Sequence, residues 1–107
     1  MEEQNELVSV AMQIILHAGD ARNITMQALA AAKKFDFEQA DQLMAEADKA
    51  IVQAHKAQTE TVQSEMSGEK YEYSMLFAHA QDTLMTIMSE INMAKEMVDI
   101  LKIIASK

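Results

Sequence analysis

Residues 74–106 read SMLFAHAQDTLMTIMSEINMAKEMVDILKIIAS, and two stripes run through them. Phe77, Ala80, Leu84, Ile87, Ile91, Ala94, Val98, Leu101 and Ala105 recur at alternating steps of three and four, as a coiled-coil seam does. A second series, Met75, His79, Asp82, Thr86, Ser89, Met93, Met97, Ile100 and Ile104, lies roughly opposite when each residue turns the helix by about 100°. A lone three-helix hairpin covers one such face and leaves the other open. The second face is therefore expected to meet copies of itself, in a homo-oligomer built around this helix.

The rest of the chain is also helical in character. Half of its residues are apolar, with two glycines and no proline, so strands have almost no support and the fold class is all-α. The first helix is predicted from about Glu3 to Lys34, with Leu7, Ala11, Ile14, Ala18, Ala21, Ala28 and Ala32 on its inner face. Gly19 interrupts it at a cost of about 1 kcal/mol against alanine, which predicts a bend or a close helix contact there. The second helix opens at Asp36, positioned to cap it while Gln39 reaches back in a capping box, and buries Phe37, Ala40, Met44, Ala47, Ile51 and Ala54 on the way to Met66. Ser67-Gly68-Glu69 breaks the chain, and Ser74 caps a third helix that runs to about Ser106. At 107 residues the chain, 1–107, is one domain.

Seventeen acidic residues against nine basic ones leave a net charge of -8, which repels phosphate backbones and anionic membranes and makes nucleic acid a poor partner. There is no cysteine, hence no disulfide, thiolate zinc site or thiol nucleophile. No apolar run approaches the ~20 residues of a membrane span, and the start Met1-Glu2-Glu3 lacks the basic end of a signal peptide. The expectation is a soluble cytoplasmic protein without direct membrane insertion.

His79 and Asp82 interrupt an otherwise apolar stripe, three residues apart and so on one face. Neutral imidazole is a good nucleophile near pH 7 because its unperturbed pKa is about 6.5. The plainer reading of His79 is a hydrogen-bonded packing residue. If Asp82 lines a symmetry axis, like carboxylates converge at a cost of several kcal/mol, which protons or a hard divalent ion such as Mg²⁺ would offset. The plainer reading sets Asp82 at a solvated helix end. His17 and His55 read as structural hydrogen-bonding residues, and the ten methionines as adaptable packing. Lys95, Lys102 and Lys107 suit the negative end of the helix dipole and need no ligand. With no Gly-rich phosphate loop, nucleophile elbow or zinc spacing, self-contained hydrolysis or nucleotide catalysis is disfavoured. What remains is a helix-mounted histidine that takes a group from one protein and gives it to another.

These residues resemble a known family. His17-Ala18-Gly19-Asp20-Ala21-Arg22, Phe35-Asp36-Phe37 followed by Ala40-Asp41, Ala54-His55 with Gln58-Thr59, and Tyr73-Ser74 leading to His79-Ala80-Gln81-Asp82 together are similar to the lactose/cellobiose (diacetylchitobiose)-specific enzyme IIA component of the bacterial phosphoenolpyruvate-dependent sugar phosphotransferase system. The resemblance covers nearly the whole chain. It implies a three-helix, up-down-up antiparallel bundle assembling as a homotrimer around the third helices. It implies that His79 accepts a phosphoryl group from phospho-HPr and passes it to a cysteine of the cognate enzyme IIB, which serves the transporter IIC during uptake of a beta-linked disaccharide. It further implies that Gln81 helps hold the phosphoryl oxygens and that Asp82 from three subunits binds one divalent metal ion, Mg²⁺ being the expected one. Thr83 stands where the family commonly has a second histidine; its hydroxyl can donate to phosphate but does not titrate near pH 7.

Two rivals stay in view. A histidine phosphotransfer domain of a two-component relay uses the same chemistry but predicts a monomer with lysine and glycine around the histidine. A structural trimeric helical adaptor predicts that His79 is dispensable.

Overall fold

In the computed structural model, alanines spaced along the first two helices are fully buried, and three helices close around them. Helix α1 spans Glu2–Lys33, α2 Phe37–Met66 and α3 Met75–Ala105. They run up, down and up in a rod of 58 × 19 × 18 Å. The structure describes residues 2–68, 71 and 73–107, and for residues 2–5 the backbone alone. Among the described residues there is no strand, as the composition predicts.

The turn between α1 and α2 is set by hydrogen bonds that only its own geometry permits. Phe35 N–H donates to the Ala32 carbonyl at 2.9 Å and Asp36 N–H to the Ala31 carbonyl at 3.0 Å. This is a Schellman closure, and it puts Phe35 at φ 61, a left-handed conformation usually left to glycine. The Phe35 ring stacks on Phe37, with centroids 5.6 Å apart, a contact of the kind that offsets such strain. The Asp36 carboxylate caps α2 by accepting from Gln39 N–H at 3.2 Å. The predicted capping box is only half formed, because Asp36 N–H already donates to Ala31 and leaves Gln39 nothing to reach back for.

At the other end of α2, Ser67 N–H and Oγ both donate to the Gln63 carbonyl at 3.0 Å. Gly68 then turns the chain at φ 113, which explains a glycine there. Glu69, the third residue of the predicted break, lies outside the described residues. Tyr71 ties the connection back to α2 through a 2.9 Å hydrogen bond with Ser64. Ser74 Oγ accepts from Phe77 N–H at 3.1 Å, the expected cap of α3.

The predicted inner faces are the observed ones except at Phe37, which is half-buried beside the α1–α2 turn. Ala11, Ala18, Ala21, Ala28 and Ala32 of α1 and Ala40, Ala47 and Ala54 of α2 are fully buried; such small side chains let the helices approach closely. Ile14, Leu84 and Ile87 are the largest fully enclosed side chains. Among the described residues Thr25 is the buried polar one, and its hydroxyl donates to the Ala21 carbonyl at 2.7 Å. At Gly19 the expectation fails. α1 continues through it unbroken, and a Cβ there would meet nothing within 4 Å, so the glycine serves no close contact in the chain.

Asp41 and Asp48 of α2, seven residues apart, pair with Lys102 at 2.9 Å and Lys95 at 3.0 Å, seven apart in the opposite sense. These pairs mark the antiparallel register of α2 and α3. Lys95 and Lys102 thus have carboxylate partners beyond the helix dipole. Each exposed pair contributes only about 0.2–1 kcal/mol, so the register rests on the apolar seam beneath.

That seam is the first stripe of α3: Ala80, Leu84, Ile87, Ile91, Ala94 and Val98 are buried and Phe77 and Leu101 half-buried, whereas Ala105, predicted to continue it, is exposed at the helix end. The second stripe faces outward along its whole length. Met93 and Met97 remain 57% and 49% exposed, and Ile100 and Ile104 are each 55% exposed. Met26 and Leu29 of α1 join Met93 and Met97 in a shallow apolar groove along this side. No helix among the described residues is long and apolar enough to cross a membrane.

Candidate functional site

Because Ser74 fixes where α3 begins, His79 falls in the second turn, on the outward stripe. Its side chain is exposed, and among the described residues its ring makes no hydrogen bond or ion pair. Asp82, three residues on, is exposed beside it. Arg22, His79, Asp82, Thr83 and Thr86 line one shallow hollow that is open to solvent.

Arg22 comes from α1, which lies alongside α3 at this level. Its Nε donates to Glu90 Oε1 at 2.8 Å and its Nη2 to Glu90 Oε2 at 3.1 Å. Those hydrogen bonds hold the guanidinium above its ordinary pKa; slight burial opposes them and the Glu90 charge adds to them, so the side chain is cationic at any working pH. Sequence reading gave Arg22 no role. The one available signal was its phase: it follows the buried Ala21 and lies four residues from the buried Ala18, at the margin of the α1 face that meets α3.

Thr83 turns inward on its own helix, its hydroxyl donating to the His79 carbonyl at 2.9 Å. To donate to a phosphoryl group, as a hydroxyl can, it would first have to leave this carbonyl. Gln81 is placed elsewhere. Two residues from His79, it points about 200° away around the helix, and it lines a separate hollow with Leu7, Thr61, Tyr71, Tyr73 and Phe77. Within one chain, His79 and Asp82 share a site and Gln81 does not. Met75 flanks His79 on the open face, whereas Leu76 turns into the core. His17 is half-buried and His55 exposed; neither makes the predicted structural hydrogen bond to a described residue.

A carboxylate suits a hard divalent ion, but among the described residues of one chain no three His, Asp or Glu side chains are grouped to hold one. Asp82 by itself supplies one carboxylate, short of the roughly six oxygen ligands that such an ion takes.

With this geometry in hand, the chain was compared with known proteins. The family described as the lactose/cellobiose-specific IIA subunit of the phosphotransferase system matches residues 9–102. The chain belongs to that family. This IIA chain is 42% identical over 95 residues to the lichenan-specific phosphotransferase enzyme IIA component of Bacillus subtilis, covering 89% of the chain and 86% of that protein. The crystal structure of the cellobiose-specific enzyme IIA of Bacillus anthracis superposes with a TM-score of 0.90 at 42% identity, covering 94% and 93% of the two chains. IIA(Chitobiose), solved in complex with HPr from the N,N'-diacetylchitobiose branch of the Escherichia coli phosphotransferase system, superposes at 0.78 with 30% identity, covering 92% and 96%. The chain is thus a phosphotransferase-system IIA component, and the three-helix bundle is the family fold.

Proposed function

We propose that this IIA component is a phosphohistidine carrier: His79 accepts a phosphoryl group from phospho-HPr and passes it to a cysteine of the cognate enzyme IIB, which serves IIC in the uptake of a beta-linked disaccharide. The observation that carries the reading is the exposed His79 ring, free of protein hydrogen bonds among the described residues and set beside a hollow that offers a cation. In the accepting step a lone pair of the ring forms the new P–N bond while the bond to the donor breaks, its electron pair staying on the donor. Such transfer depends on in-line positioning and on offsetting spread negative charge, more than on covalent assistance. A docked partner supplies the position. The relative solved with HPr supports that partner, and a carrier fed from phosphoenolpyruvate works in the cytoplasm.

The outward stripe of α3 supports a homotrimer around that helix, which would cover Met93, Met97, Ile100 and Ile104. Asp82 from three copies would then hold one divalent ion, Mg²⁺ by donor chemistry, whose charge offsets the converging carboxylates.

The test is incubation with phosphoenolpyruvate, enzyme I and HPr, reading intact mass for the native chain and His79→Ala. One phosphoryl group per native chain and none on the variant is expected. No gain on either would overturn the carrier reading, and gain on both would move the site to His17 or His55.

A further inference from the structure

A phosphoryl group on His79 brings up to about two negative charges into a hollow that already holds the Asp82 carboxylate. Something there must offset them. The Thr83 hydroxyl proton is already given to the His79 carbonyl and brings no charge in any case. Among the described residues lining the hollow, Arg22 is the cation.

Arg22 also has donors to spare. A guanidinium carries five N–H groups in a planar fork matched to phosphate. Glu90 takes one from Nε and one from Nη2. The rest, including both on Nη1, have no partner among the described residues. Both side chains of the pair are nearly half exposed, at 45% and 46%, so neither is locked in place by packing. An exposed pair of this kind is weakly held, whereas a charge-assisted fork onto a phosphoryl group is among the stronger contacts a side chain makes.

We infer that Arg22 binds the phosphoryl group on His79, and that Glu90 is the competing partner which holds the guanidinium when His79 is bare. Phosphorylation then draws the Arg22 side chain along α3 from Glu90 toward His79, and dephosphorylation returns it to Glu90. This role rests on His79 being the carrier. It makes Arg22 a phosphoryl-binding residue supplied by a different helix.

The two halves of the pair separate this role from a structural one. A merely structural ion pair is lost equally in Arg22→Gln and Glu90→Gln, so both variants would shift in the same direction. A phosphoryl-binding Arg22 with a competitor predicts opposite shifts. Native chain, Arg22→Gln, Arg22→Lys and Glu90→Gln are equilibrated with phospho-HPr, and the phosphorylated fraction, its hydrolysis rate and its ³¹P chemical shift are read. Circular dichroism confirms folding of each.

Arg22→Gln is expected to lower the equilibrium constant for phosphorylation about tenfold and speed hydrolysis, with a displaced ³¹P resonance. Arg22→Lys should recover part of the loss, and Glu90→Gln should raise the constant about threefold. Equal values for native and Arg22→Gln, or matching shifts in Arg22→Gln and Glu90→Gln, would overturn the inference while leaving His79 as carrier. Absence of label on the native chain would instead overturn the carrier reading on which the inference rests.

Discussion

Thr83 Oγ1 donates to the main-chain carbonyl of His79 at 2.9 Å, so the side chain one turn beyond the candidate carrier residue is bonded to that residue's backbone. The hydroxyl keeps lone pairs but has no second proton. It can accept from a neighbour and cannot donate to an oxyanion without first breaking this bond. Thr83 therefore shapes the hollow sterically more than electrically. This matters because a threonine, unlike a histidine, brings no group that titrates near pH 7 to this position.

Thr83→Val is accordingly expected to change the lifetime of phospho-His79 by less than about threefold, because the lost hydrogen bond was to the backbone. Thr83→His should behave differently. It sets a second imidazole one helical turn away, and protonation near its unperturbed pKa of about 6.5 adds a cation beside the phosphoryl group only at lower pH. Hydrolysis of the phosphorylated variant should then be slower at pH 6 than at pH 8, relative to the native chain at the same pH. Parallel pH profiles for the two proteins would show that position 83 does not face the group.

Gly19 is a mid-helix glycine whose added Cβ meets nothing within 4 Å. Alanine there removes backbone freedom from the unfolded chain and adds no clash within the folded one. Gly19→Ala should stabilise the chain by up to about 1 kcal/mol, read from the urea midpoint at unchanged slope. Destabilisation would mean that a neighbouring copy packs on Gly19.

The fold was legible because its signals are local or periodic. The α3 seam is visible in the spacing from Phe77 to Ala105, and the caps at Asp36 and Ser74 lie just before the runs they start. Phe35 was not legible: nothing in a phenylalanine announces a left-handed φ, which here follows from the Schellman hydrogen bonds and the stack on Phe37. Nor was the half-formed capping box, since the claim of Ala31 on Asp36 N–H depends on how α1 ends. At the site, His79 and Asp82 share a face by spacing alone. The same rule of about 100° per residue separates Gln81 from them within one chain, so the phosphoryl-holding role that the resemblance implies for it would have to act between copies. Arg22 meets α3 through Glu90, 68 residues away, a relation that no single-sequence pattern encodes.

The two stripes of α3 should respond to mutation in different ways. Ile87 is fully enclosed by its own chain, and Ile87→Ala should cost about 2–5 kcal/mol of folding stability. Met93 and Met97 face outward. The double variant Met93→Ser with Met97→Ser should retain helical circular dichroism and lose assembly, sedimenting at the 12.0 kDa of one chain where the native protein sediments at three times that. Identical sedimentation of native protein and double variant would mean that the open stripe is not the assembly surface.

Asp82 gives the last expectation, and it turns on like charges. One exposed carboxylate costs a chain little, but three brought to an axis repel one another by several kcal/mol unless an ion offsets them. Native assembly should therefore weaken when divalent ions are chelated and recover when Mg²⁺ is restored. Asp82→Asn removes the charge and the hard-ion ligand together, so the variant should assemble equally well with chelator or with Mg²⁺. The measurement is the thermal midpoint of both proteins in each condition, at fixed protein concentration because assembly makes the midpoint depend on it. A shift of several degrees confined to the native protein is expected. The same shift in both proteins would place the ion elsewhere, and no shift in either would leave the Asp82 carboxylates apart.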